Sequence, residues 1–254
     1  MTLVFSDELK SFFSNHSFEE VFQLKGKTFR EATGRKTLKI QIDDGTYFLK
    51  LHTGVGWKEI FKNIFTFRWP VLGAKTEYHA IQRIKTLGIS TPVVVAYGEK
   101  GWNPAKKKSF IITKEIVYED NLEDWLEKHG MPPFKLKRLV IKRVAQIAKT
   151  LHQNHINHRD LYLCHFLLNH SGDDFKLYLI DLHRVQMHLT FKPRWIIKDL
   201  SALYFSALPF AFSRSDYFYF IRCYTNERPR NAIRQNRQFW NAVHKRALGT
   251  LKKD

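Results

Sequence analysis

The sequence predicts an α+β fold in two lobes: an antiparallel-sheet N-lobe over residues 1–116, then a mostly helical C-lobe over residues 117–254. Alternating apolar and polar runs joined by Asp44-Gly45 give the sheet, and apolar positions at helical spacing across residues 135–155 give the helices. No internal repeat, low-complexity block or long Pro/Gly/Ser linker interrupts the chain, so the lobes are expected to meet at a short hinge, residues 113–117.

Residues 37–43 alternate, Asp44-Gly45 suits a tight hairpin turn, and residues 46–51 resume the strand with Lys50 on the second arm. Residues 57–68 put Ile60, Phe61, Ile64 and Phe65 on one helical stripe with Lys58, Lys62 and Arg68 outside it; Pro70 ends that segment. A helix over residues 75–87 aligns Tyr78, Ile81, Ile84 and Leu87, carries Glu77 in its first turns and stops at Gly88. Residues 92–97 and 109–113 read as two further strands, separated by a loop over residues 98–108. Asn121 caps a helix over residues 122–128, and a longer helix with Leu136, Leu139, Val140, Val144, Ile147, Ala148 and Leu151 inward is expected to close on His158-Arg159-Asp160. An apolar run Phe166-Leu-Leu168, a Ser-Gly-Asp-Asp turn and a strand over residues 176–180 then lead to Asp181.

The composition excludes several classes. Hydrophobic residues at 44% and 21 Phe supply an ordinary core, which argues against disorder. Two cysteines, Cys164 and Cys223, make neither a disulfide framework nor a paired-cysteine zinc site and fit a reducing, cytosolic compartment. Residues 1–10 carry two acids before the first base and no cleavable apolar run, so no secretion signal is expected. The most apolar stretch, residues 200–212, is too short to cross a bilayer. A net charge of +18 predicts attraction to polyanions without naming one.

Specific chemistry concentrates in residues 155–200. Asp160 and Asp181 fall at the ends of adjacent short elements, as phosphoryl transfer requires: one carboxylate takes the proton of an acceptor hydroxyl and the other anchors a magnesium ion on nucleotide phosphates. Upstream, a strand lysine, Lys50, and a helix glutamate, Glu77, occur in the order of the protein-kinase plan. His-Arg-Asp alone is a weak signal, but four ordered elements in their expected contexts are a strong one.

The same residues carry a family resemblance. Phe48-Leu-Lys50, Pro70-Val-Leu-Gly-Ala74, Glu77, Ala96-Tyr-Gly-Glu99, Ile156-Asn-His-Arg-Asp160, Cys164-His-Phe-Leu-Leu168, Ile180-Asp-Leu-His-Arg184 and Lys198-Asp-Leu-Ser-Ala-Leu-Tyr-Phe-Ser206 resemble the lipopolysaccharide core heptose kinases of the RfaP/WaaP family, over residues 18–225. The resemblance implies a two-lobed protein-kinase-like fold with ATP between the lobes, and transfer of its γ-phosphate to the first heptose of the inner core. It further implies Asp160 as catalytic base, Asp181 as magnesium ligand, Lys50 as phosphate-binding lysine with Glu77 as its partner, and Arg159 and Asp199 as support for the catalytic loop.

Departures from the protein-kinase plan shape the expectations. His165 stands five residues after Asp160, where protein kinases keep a metal-binding Asn; it joins Asp181 as a candidate metal contact, although a neutral imidazole is a poor magnesium ligand, which weakens the case for a second ion. The Gly-rich loop shrinks to Gly34-Arg35, candidate nucleotide-binding residues before a strand. Only 17 residues separate Asp181 from Asp199, with no activation segment to dock peptides, so the acceptor is expected to be small-headed. Arg184, Arg194 and Lys198 are candidates to bind an anionic glycolipid acceptor.

Other readings stand beside these. Glu77 equally suits an exposed i,i+4 pair with a nearby base, and Asp199 equally suits the cap of a helix starting at Leu200. His152, His155 and His158 recur every three residues, as a zinc-binding helical side would. Cys164 reads as a small buried side chain. The basic, amphipathic tail over residues 226–254 suits packing on the helical lobe, an anionic membrane surface or an acidic partner such as an acyl carrier protein; residues 57–69 are a second membrane-facing candidate. Cytoplasmic placement, peripheral on the inner membrane, follows from the acceptor. Rival functions are a kinase of the same fold acting on another small acceptor, a nucleic-acid-binding protein, and a pseudokinase; nucleic acid is not expected as a partner because it leaves Asp160 and Asp181 unexplained.

Overall fold

The computed structural model describes the chain except Thr33, Val55, residues 58–72, Gly172, Asp173, Phe191 and residues 252–254. The expected stripe of Ile60, Phe61, Ile64 and Phe65 therefore lies outside the described residues, as does most of the motif at Pro70. The chain divides into two units, one of residues 1–83 with 91–116, the other of residues 84–90 with 117–254.

The first unit is a six-stranded antiparallel sheet. It comprises β1 (Thr2–Phe5), β2 (Lys27–Ala32), β3 (Arg35–Ile42), β4 (Gly45–His52), β5 (Val94–Lys100) and β6 (Lys108–Lys114), in the order β1-β5-β6-β4-β3-β2. The hairpin turns at Asp43, which takes φ 49°, and pairs Ile42 with Gly45. Two short helices, α1 (Lys10–Asn15) and α2 (Phe18–Val21), bring Phe13, Phe18 and Val21 to a core with Leu38, Leu49, Val95, Phe110 and Ile112. Ser17 and Glu20 form a reciprocal capping box at the start of α2. β5 and β6 each extend beyond the expected strands, which shortens the loop between them to residues 101–107.

α3 (Lys75–Thr86) follows the sheet hairpin and is stopped two residues on by Gly88, whose φ of 75° is the left-handed conformation that glycine adopts without steric cost.

The second unit is mainly helical. α4 (Leu122–His129) starts at Asn121, whose side chain accepts the Glu123 and Asp124 amides at 3.0 Å each. α5 (Phe134–Gln153) buries Val140, Val144, Ile147, Ala148 and Leu151 at helical spacing, while Leu139, expected inward, is exposed. α5 stops at Gln153, so His158-Arg159-Asp160 lies beyond the helix, after the short strand β8 (Ile156–Asn157) rather than at the helix end. β7 (Asp120–Asn121), β9 (Phe166–Ser171) and β10 (Asp174–Leu179) form a small antiparallel sheet, and β11 (Gln186–Met187) pairs β8. Four more helices complete the unit: α6 (Pro193–Ala207), α7 (Arg214–Thr225), α8 (Pro229–Gln235) and α9 (Arg237–Leu251). α7 packs on α5, and α9 packs on α6, burying Val243 and Ala247, so the tail is part of the helical unit. Between these helices lies an apolar cavity of about 420 Å³, walled by Val144, Leu163, Leu203, Phe220, Ile233 and Trp240.

Candidate active site

In the first unit, β4 is flanked by β3 and β6, which fixes Lys50 opposite Thr37 and Ile111. Its ammonium lies 2.5 Å from Glu77 Oε1 on α3. Glu77 is 4% exposed, not on a solvated helix face, so the i,i+4 alternative does not hold. Burial of a carboxylate at this depth is tolerable only with a charged partner, and the lysine provides it. Gly34 takes φ 70° in the β2–β3 turn and its carbonyl accepts the Thr53 amide at 3.0 Å; Arg35 opens β3, half-buried.

In the second unit, a loop after β8 presents Asp160, and its backbone is held from α6. Asp199, fully buried, accepts the His158 amide at 2.7 Å on Oδ2 and the Arg159 amide at 2.8 Å on Oδ1. Such charge-assisted bonds to backbone fix a loop more firmly than neutral ones. Asp199 lies well inside α6, which begins at Pro193, so it caps no helix at Leu200; bracing the loop is its structural work. Behind it, His152 Nε2 sits 3.3 Å from Asp199 Oδ2, and His152 Nδ1 is 2.8 Å from the Tyr224 hydroxyl. Burial and the Asp199 charge push the Tyr224 phenol well above its ordinary range, so its O–H donates to Nδ1 and leaves Nε2–H to donate to the carboxylate.

His158 is buried, and that burial pulls its imidazole below the usual histidine range, keeping it neutral. Its Nε2–H donates to the Ile180 carbonyl at 3.0 Å and ties the loop to the segment bearing Asp181. Arg159 and Asp181 both take left-handed backbone, φ 74° and φ 60°, conformations that cost L-residues energy and cluster at functional sites.

Asp160 is 18% exposed, and Arg184 Nη1 lies 2.9 Å and 3.2 Å from its two carboxylate oxygens. The Asp160 carbonyl accepts His165 Nδ1–H at 2.6 Å, and His165 Nε2 stands 3.5 Å from Asp181 Oδ2. His183 Nδ1 hydrogen-bonds the other oxygen of Asp181. Lys198 is half-buried, and burial, then the neighbouring Arg159 and Arg184, draw its ammonium below the ordinary lysine range. Arg194 is exposed, its guanidinium 5.1 Å over the Trp195 ring, and makes no hydrogen bond or ion pair with this cluster among the described residues. The structure thus gathers Asp160, Asp181, His165, Arg184, Arg159 and Asp199, and leaves Arg194 apart.

The three histidines at three-residue spacing do not share a helical side: His152 is on α5, His155 turns at φ 57° and His158 is in the loop. Among the described residues no three His, Cys, Asp or Glu side chains form a metal-holding group. Magnesium prefers oxygen and retains several waters, often with one or two carboxylates and substrate phosphates. Asp181, 22% exposed, fits that demand, while the imidazoles of His165 and His183 suit orienting its carboxylate better than binding a hard cation. The sequence reading missed His183 and the His152–Tyr224 support; the acid two residues before His183 was the available signal. Burial pushes the Cys164 thiol up to about 12, so it is held as the thiol.

A strand lysine paired with a buried helix glutamate in a sheet unit, and an aspartate loop braced from a helix in a helical unit, define a protein-kinase-like chain. The chain belongs to the lipopolysaccharide kinase (Kdo/WaaP) family, whose profile matches residues 19–224. It is similar to the Pseudomonas aeruginosa lipopolysaccharide core heptose(I) kinase WaaP, 44% identical over 243 residues, with 92% of this chain and 90% of that protein covered. The Escherichia coli K12 protein of the same name is 42% identical over 214 residues, covering 82% and 81%. A solved structure of WaaP in complex with acyl carrier protein matches with a TM-score of 0.83 and 37% identity, over 98% of this chain and 99% of that one.

Proposed function

We propose that the chain is an ATP-dependent sugar kinase that phosphorylates the first heptose of the lipopolysaccharide inner core. The observation that carries this reading is Asp160, a partly exposed carboxylate on a loop whose two preceding amides are fixed by buried Asp199. A general base positioned this rigidly suits a reaction whose acceleration comes from placement and electrostatics. Family membership and relatives named heptose(I) kinases support the choice of acceptor.

In this mechanism, Lys50, held by Glu77, grips nucleotide phosphates, and Gly34 and Arg35 lie at the turn that would cover them. Asp160 accepts the proton of a heptose hydroxyl as its oxygen bonds the γ-phosphorus; the bond to the bridging oxygen breaks and ADP leaves. Asp181, oriented by His183 and His165, would hold magnesium, which neutralises charge on the transferring phosphate. Arg159 and Asp199 keep the loop in place, and Arg184 and Lys198 bind the anionic acceptor, with Arg194 a more distant contact. Incubation with labelled ATP, magnesium and dephosphorylated core glycolipid is expected to place label on the heptose. Absence of incorporation by wild-type protein, or full incorporation by Asp160→Asn, would overturn the reading.

An acidic protein partner of the acyl-carrier type belongs to the same proposal, supported by the net charge of +18 and by the complex formed by the solved relative. Co-purification that weakens steeply with salt is expected. The glycolipid acceptor also places the protein on the cytoplasmic face of the inner membrane. Trp102, 92% exposed on the β5–β6 loop that also carries Lys106, suits an anionic interface, and no helix among the described residues is long and apolar enough to cross a membrane.

A further inference from the structure

We infer that Arg184 guards Asp160: it occupies the base's carboxylate while the acceptor site is empty, and an anionic group of the acceptor draws it away. The inference deepens the function proposed above and rests on it.

One nitrogen of Arg184 bridges both oxygens of Asp160, at 2.9 Å and 3.2 Å. Its Nε and Nη2 make no hydrogen bond to any described residue, and the side chain is 34% exposed. A guanidinium presents five N–H donors in a planar fork that matches carboxylate or phosphate, so three remain for a second anion.

The surroundings are short of negative charge. Arg159 and Lys198 both lie within electrostatic reach of Asp160 and Arg184, and both are disfavoured as cations, first by burial and then by like-charged neighbours. The nearby carboxylate of Asp199 is already engaged by two backbone amides and His152. Three cations therefore share Asp160 as their one uncommitted counter-charge among these groups. An acceptor carrying a carboxylate or phosphate near the reacting hydroxyl supplies the missing charge, lets Arg184 turn to it through Nε and Nη2, and frees the Asp160 lone pairs for the hydroxyl proton.

The guard has a second effect. Hydrolysis in place of transfer needs water to bond the γ-phosphorus, the bridging oxygen to depart with ADP, and the water proton to pass to Asp160. With Arg184 across both oxygens, that proton has a poorer acceptor until the acceptor arrives.

The test measures ATP hydrolysis without acceptor, and kcat and KM with two probes: dephosphorylated core glycolipid, and the same glycolipid with its carboxylates methyl-esterified. A third preparation, in which the phosphates outside the dephosphorylated core are removed as well, separates phosphate from carboxylate as the recognised anion. Arg184→Gln is expected to raise acceptor-free hydrolysis several-fold and to raise acceptor KM about tenfold, as loss of a charge-assisted contact does. Arg184→Lys should recover part of the KM because it keeps charge but not the fork. Removing the recognised anion should raise KM for wild type and leave that of Arg184→Gln unchanged. Unchanged hydrolysis and KM in a folded, nucleotide-binding Arg184→Gln would overturn the guard, as would equal penalties from anion removal in wild type and variant. If wild type transfers no phosphate to any glycolipid, the heptose-kinase reading falls, and the acceptor-free hydrolysis comparison still judges the guard.

Discussion

Lys50 and Glu77, 27 residues apart, meet at 2.5 Å with the glutamate 4% exposed. Removing one partner of such a pair strands a buried charge. Lys50→Met is expected to lower unfolding free energy by about 3–5 kcal/mol, whereas Lys50→Met combined with Glu77→Leu recovers most of it, because two apolar side chains strand nothing. Denaturant titration of the single and double variants checks this, and neither should bind ATP normally.

Asp199 accepts the two backbone amides that precede Asp160, the base proposed above. Asp199→Asn keeps an oxygen for one amide but turns a donor toward the other, so kcat is expected to fall roughly 100-fold, the scale of a small misplacement of a catalytic group. ATP affinity, measured by calorimetry, should hold.

His158 supplies a pH signature of stability. Burial lowers its imidazole below the unfolded value near 6.5, so on acidification the unfolded state takes up the proton first. The neutral-histidine contribution is therefore fully present above the unfolded value and is lost as pH falls from there toward the lowered folded value. The slope due to this one group reaches at most about 1.4 kcal/mol per pH unit. Thermal or denaturant unfolding between pH 7 and pH 5 should show a shallower loss for His158→Asn than for wild type, measured as a difference so that other titrating groups cancel.

Cys164 is held as the thiol, with its titration pushed up to about 12 by burial. Native protein at pH 7.5 is expected to resist alkylation at Cys164 by iodoacetamide, and denatured protein to react readily. Peptide mass spectrometry reads both, and Cys164→Ala should retain activity.

Local signals in the sequence translated well where the determining interaction is itself local. The Asp44-Gly45 hairpin, the Asn121 cap and the Gly88 stop all depend on neighbours within a few residues, and each stands where it was expected. β1 and β2 were not legible: β1 acquires its partner from β5, with Thr2 opposite Glu99, and every residue of β2 is exposed, so no alternation marks it. The end of α5 was placed too late because His155 and its neighbours continue the helical spacing while the backbone has already turned left-handed. At the site, residue types and order pointed to Lys50, Glu77, Asp160 and Asp181. The partners that orient them came only from contacts across sequence: Asp199 over 41 positions to His158, and Arg184 over 24 to Asp160. Arg184 was expected as an acceptor contact, and nothing in the chain order announced that it would sit on the Asp160 carboxylate.

The hydrogen bonds from Tyr224 through His152 to Asp199 join α7 to the loop that presents Asp160. A lesion far out on that helix, such as Tyr224→Phe, will thus register in turnover before it registers in folding, and a screen for heat tolerance alone would pass variants whose chemistry has already faltered.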